Sequence, residues 1–192
     1  MPRVDPFGNR CTHCVRIHVR QMENNWVSPS VAITNAQRFY GSNGIYLEVA
    51  SMLSTRLNPA DYFKFTFIRT DCQWGQESRV QSDLFSQMAA SDYQGILVVF
   101  VFAIDTPTGE LEGCAGHSPH RAAVVVRSAS PPWALAHEIG HVLLGPSFVP
   151  VHSTAAGNIM GTEAAILSSS QLPRFDFAQL EQVRRSPYLL RC

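Results

Sequence analysis

The sequence predicts an α+β fold, and three observations carry that prediction. Segments with strand-like alternation are interspersed with segments of helical spacing. A ten-residue apolar run, GILVVFVFAI at 95–104, is rich in β-branched and aromatic residues. A second apolar segment, WALAHEIGHVLLG at 133–145, follows Pro residues and ends on Gly, as a buried helix should. At 192 residues the chain can bury a sizeable core. It is read as one domain, 1–192, with a sheet and helix part at about 15–145 and a smaller C-terminal part at about 146–192.

Taken in order, VRIHVR at 15–20 alternates apolar and polar residues and is expected to be the first strand. Residues 29–41 place Val31, Ala32, Asn35, Phe39 and Tyr40 near one helical face, with Ser28 as N-cap and Gly41 as stop. GIYLEVA at 44–50 alternates again and predicts a second strand, as does YFKFTFI at 62–68. Helical spacing returns at 78–91. The run at 95–104 predicts a central strand covered on both faces. A polar, Gly-containing loop is expected at 105–120, a short strand AAVVV at 122–126 and a Ser/Pro stop at 127–132. After the helix closed by Gly145, residues 146–173 read as irregular. A final helix is expected at 175–186, with Asp176 as its cap.

Fifteen basic and fifteen acidic residues cancel, and only 16% of residues are charged, so no long-range field favours nucleic acid or an anionic membrane. The ten-residue apolar run falls short of the roughly 20 residues that span a bilayer. Neither nucleic acid nor a membrane is therefore expected as a partner, and the chain is expected to be a monomer. The opening MPRVDPFGNRC lacks the apolar stretch of a secretory signal, which predicts a cytoplasmic protein or export by a non-classical route. Five cysteines cannot all pair within one chain. Cys11 and Cys14 have the spacing of half a zinc site or of a redox pair, yet no second Cys-x-x-Cys follows, so ordinary or disulfide-bonded roles are expected. Cys72 and Cys114 are a candidate disulfide, which would imply an oxidising compartment.

The chemistry concentrates in His137, Glu138 and His141, which form H-E-x-x-H. Residues at i and i+4 share a helical face, so both imidazoles can address one ion. Glu138 falls beside that ion, where a carboxylate can act as base on water acidified by zinc. A catalytic zinc needs a third protein ligand. His152, eleven residues after His141, and Glu163, twenty-two after it, are the candidates. His117 and His120 are further ligand candidates, or could line a cleft and stabilise an oxyanion, or lie on the surface.

Residues 133–161, WALAHEIGHVLLGPSFVPVHSTAAGNIMG, resemble the active-site segment of metzincin-type zinc metallopeptidases. That family carries H-E-x-x-H-x-x-G-x-x-H and a downstream turn with a Met beneath the zinc. The two His with Glu, a Gly soon after, a later His and Asn158-Ile159-Met160-Gly161 match. Gly145 comes one residue late, and the position six after His141 is Ser147. The resemblance implies Zn2+ on His137, His141 and His152, Glu138 as catalytic base and Met160 as a support that packs under the site. It implies a twisted mixed sheet with an antiparallel edge strand over the cleft, which AAVVV at 122–126 matches in order, plus an active-site helix and a C-terminal helix. The activity implied is that of a zinc-dependent endopeptidase, with a peptide or protein as its partner. A catalytically silent zinc-binding module and a narrowly specific secreted or effector protease are the alternatives. Outside 95–161 the likeness is one of element order.

Overall fold

The computed structural model describes residues 3–23, 27–73, 75–89, 94–118, 121–162 and 167–192. Its elements begin with a small antiparallel ribbon, β1 (Arg3–Val4) and β2 (Arg10–Cys11). Then come β3 (His13–Met22), α1 (Ser30–Ser42), β4 (Ile45–Thr55), α2 (Pro59–Thr66), β5 (Phe67–Arg69) and α3 (Arg79–Met88). The second half runs through β6 (Ile96–Val101), β7 (Ala103–Thr106), β8 (Gly109–Leu111), β9 (Gly113–Ser118), β10 (Arg121–Arg127) and α4 (Ala134–Leu144). It closes with α5 (Phe177–Arg184) and β11 (Leu189–Arg191).

The main sheet is mixed. β4, β3, β6 and β10 are parallel neighbours in that order, β9 pairs antiparallel with β10 at the edge, and β11 pairs antiparallel with the start of β3. As the apolar run predicts, β6 is buried along its whole length. Ile96, Val98 and Phe100 face the helices α1 and α4, and Leu97, Val99 and Val101 face α3 on the other side. The period of two along each strand thus feeds two cores.

Several expectations need correction. Residues 62–68 are mostly helical, because the Asn58 side chain accepts from the Asp61 N–H and Pro59 occupies the first turn, so the capping signal outweighs the alternation. The apolar run breaks at the exposed Phe102, and β7 leaves the main sheet to pair with β5 and β8. The expected loop at 105–120 contains β8 and β9. The edge strand is β9 and not the segment at 122–126: β10 lies between β6 and β9, with its apolar residues buried toward both faces. Helix α1 runs through Gly41, where a Cβ would collide with the Asp5 carboxylate. The left-handed residue that turns the chain is Gly44, at φ +76°. Ser28 does not cap α1, whose N-cap is Pro29; its hydroxyl accepts from the Ser30 N–H instead.

Cys72 pairs with Cys114 as expected, and Cys14 pairs with Cys192. Cys11 is free and buried, so Cys11 and Cys14 form neither half a zinc site nor a redox pair. Among the described residues, no helix is long and apolar enough to cross a membrane.

Candidate metal centre

Every residue of α4 is buried, which suits a helix so rich in Ala, Leu, Ile and Val. It is wedged under β9 and β10 with α1 alongside, where the Tyr40 hydroxyl donates to the Ala136 carbonyl at 2.9 Å. Gly145, at φ +78°, ends the helix, and its N–H donates to the His141 carbonyl. A left-handed residue there lets the chain double back toward the helix face it has just left.

The returning segment is irregular, as expected, but it is closely tied. The Ser153 N–H donates to the Met160 carbonyl at 2.9 Å, the Gly161 N–H to the Asn158 carbonyl at 3.0 Å and the Ile159 N–H to the Arg174 carbonyl at 2.9 Å. Asn158 is the buried centre of this arrangement. Its side-chain oxygen accepts from the Met160 N–H and its amide donates to Gln179, both at 2.8 Å. Gln179 belongs to α5 and also completes a capping box with Asp176, so the cap of the last helix is hydrogen-bonded to the turn.

These elements bring His137, His141 and His152 together, with one ligand nitrogen from each lying within 4.8 Å of the others. Among the described residues this is the one cluster of His, Cys, Asp or Glu able to hold a metal ion. The Nε2 atoms of His137 and His141 are 2.9 Å apart, and the His152 ring stacks on that of His137 at 5.4 Å. His137 Nδ1 lies 2.7 Å from the Ile159 carbonyl, which can only accept, so the proton sits on Nδ1 and the Nε2 lone pair faces the other rings. Burial lowers the pKa of His137 to about 4, with the Ile159 carbonyl working against that shift, and burial also lowers that of His152. Neutral imidazoles are the form a metal binds. The donor set and its geometry therefore fit a zinc ion.

Glu138 lies beside this cluster and is buried. Burial raises its pKa to about 8, against the opposing effect of the hydrogen bond it accepts from the Ala115 N–H of β9. A cation at the histidines would pull that value down. Gly113 is glycine for a reason, since a Cβ there would run into the Glu138 side chain. Gly140 has a matching role below the helix: a Cβ there would come within 2.6 Å of the Met160 sulfur, and Met160 itself is fully buried. The cleft above these groups has a volume of about 400 Å³, with Leu111, Glu112, Val151 and Thr162 among its walls. A larger concavity of about 690 Å³ is lined by Arg69, Asp71, Arg79, Asp105 and Glu110 and contains none of the histidines.

Glu163 and His120 lie outside the described residues, as does the side chain of His117, whose backbone belongs to β9. Sequence reasoning missed Asn158 and Gln179 as organisers of the turn, and Ala115 as a partner of Glu138. For the first pair a signal was present, because Asp176 and Gln179 have capping-box spacing.

No protein-family model matches the chain, and no curated protein matches it in sequence. Solved structures do. Metalloproteinase-II from Bacteroides fragilis is similar over 96% of this chain with a TM-score of 0.57 and 15% identity; the chain spans 56% of that protein's length. Archaemetzincin from Methanopyrus kandleri aligns with 89% of this chain and 94% of its own, at a TM-score of 0.55 and 14% identity. A zinc-dependent peptidase from Methanocorpusculum labreanum aligns with 87% of this chain and 99% of its own, at a TM-score of 0.50 and 14% identity. With its mixed sheet, antiparallel edge strand, buried H-E-x-x-H helix and convergent histidines, this chain has the fold of metzincin-type zinc peptidases.

Proposed function

We propose that this protein is a zinc-dependent endopeptidase. The observation that carries the reading is the convergence of His137, His141 and His152 within 4.8 Å, with Glu138 beside them under the edge strand. The three histidines would hold the ion, which when bound supplies a Lewis acid that polarises a carbonyl and acidifies water. Glu138 would take a proton from a water in the cleft and return it to the leaving amine. Its hydrogen bond to the Ala115 N–H keeps the carboxylate at the cleft rather than in the core. Met160, packed against Gly140, supports the floor of the site between the two helical histidines.

β9 would align the peptide as an added strand. The Arg127 N–H donates to the Glu112 carbonyl at 2.9 Å, which sets the alternation along the edge. Residues of that parity turn their backbone groups to β10, while Gly113, Ala115 and His117 turn theirs outward. The C-terminal part, about 146–192, supplies the third histidine, and its last strand pairs with β3, which favours one domain over two. The two disulfides favour an oxidising compartment and thus the exported alternative.

The test is cleavage of a mixed peptide library by the zinc-loaded protein, read by mass spectrometry with Glu138→Ala beside it. Cutting by the wild type alone supports the reading. No cutting with zinc still bound leaves the silent zinc-binding module as the better description.

A further inference from the structure

The edge of β9 is not open along its whole length. Cys114 and Gly116 face the α3 side of the sheet, where Cys72 is bonded to Cys114 and Gln81 of α3 donates to the Cys114 sulfur. Gly113 and Ala115 face α4 on the opposite side, against Glu138. Yet Gly75, only three residues after Cys72, lies on the α4 side: a Cβ built on it would sit 3.6 Å from the Cβ of Pro146, just past the end of α4. Three residues reach at most about 11 Å. Thr70 is bonded to Gln81 on the α3 side while Gln73, three residues on, lines the cleft of the α4 histidines, and β10 closes one flank of β9, so residues 70–73 pass around the other flank, the one a peptide would pair with.

The cavities agree with this path. Cys72 and Gln73 line the cleft of the histidines, which also includes Leu111, Gly113 and Ala115. Pro146 and Gly116 line a second cavity of about 340 Å³, together with Val142, Ser147 and Tyr188. Cys72 is held in the left-handed region at φ +44°, with its N–H donating to the Thr70 hydroxyl, and the Gln76 N–H donates to the Gln73 carbonyl at 3.1 Å. A non-glycine residue adopts that conformation when its surroundings impose it.

We propose that Cys72, Gln73, Gly75 and Gln76 form a disulfide-anchored strap across the edge of β9, which sets which peptides the site accepts. Resting on the peptidase reading above, this deepens it. A bound peptide pairs with β9 only from the Leu111–Gly113 end, so the site takes substrates that need little chain on the strapped side of the scissile bond. Cys72 and Gln73 are thereby specificity-determining residues, and the covalent tie to Cys114 keeps the restriction in force.

Two measurements on the full chain test this. In the first, Gly75→Cys with Pro146→Cys should form a new disulfide on mild oxidation, because a Cβ separation of 3.6 Å suits one. Failure to form it would mean the strap does not cross, and would overturn the proposal. The second uses zinc-loaded Glu138→Ala protein, which separates binding from turnover, and fluorescent peptides lengthened one residue at a time at either end. In the intact protein, lengthening at one end should bring no gain in affinity while the other end gains. With Cys72→Ser and Cys114→Ser the blocked end should gain on the order of tenfold. Equal gains at both ends in the intact protein would overturn the strap, and that result is readable even if the serine variant does not fold. If the new disulfide forms but no peptide binds either protein, the peptidase reading falls, and with it the strap's role although not its position.

Discussion

α4 and the segment 146–162 each bring histidine to the same point, and different forces hold them there. Two of the three histidines stand on a helix in which every residue is buried, clamped between α1 and the sheet. Their positions follow from helical periodicity and the removal of apolar surface from water, which at about 25 cal/mol per Å² is the main stabilising term in such a core. His152 stands on a segment with no regular structure. Its neighbour Ser153 is hydrogen-bonded to Met160, Met160 to Asn158, and Asn158 to Gln179 of α5. Burial is a bulk effect that tolerates small errors, whereas a chain of hydrogen bonds fails at any one link. The two supports should therefore break differently.

The largest effect on stability is expected from the sheet core. Ile96→Ala, at a fully buried position of β6, should cost about 2–5 kcal/mol in denaturant unfolding. Zinc affinity of the protein that remains folded should be unchanged. Asn158→Ala should cost about 1–3 kcal/mol, because it strands the Met160 N–H and the Gln179 side chain. Zinc affinity, read by competition with a chromogenic chelator, should nevertheless fall about 10–100-fold. An Asn158 variant that unfolds more easily yet binds zinc as before would erase the contrast between the two supports. The smallest effect belongs to Arg127→Ala. Its ion pairs with Glu110 and Glu112, at 2.9 and 2.8 Å, are partly exposed and should contribute no more than about 1 kcal/mol, with zinc binding untouched.

The same contrast explains what could be read from the sequence. β3, β6 and α4 announced themselves because one residue after another obeys a period set by burial. Gly145 and Asp176 were legible because a cap has a fixed chemistry at a fixed place. β9 was not legible. Its residues GCAGHS read as loop, since small residues are what admit Glu138 against Gly113 and Phe85 against Gly116. The strand next to it was mistaken for the edge for that reason. Residues 62–68 show the converse case, alternation without a strand, because Asn58 and Pro59 start a helix first. In the candidate site, His137, Glu138 and His141 could be named from their spacing alone. His152 could be preferred to Glu163 only through its likeness to a known motif, because nothing local in its segment says where the chain returns.

Zinc titration of His152→Ala against Glu163→Ala tests the three-histidine centre most directly. His152→Ala is expected to weaken zinc binding by about 100-fold or more, while Glu163→Ala leaves it unchanged. The reverse pattern would remove His152 from the metal and contradict the three-histidine centre.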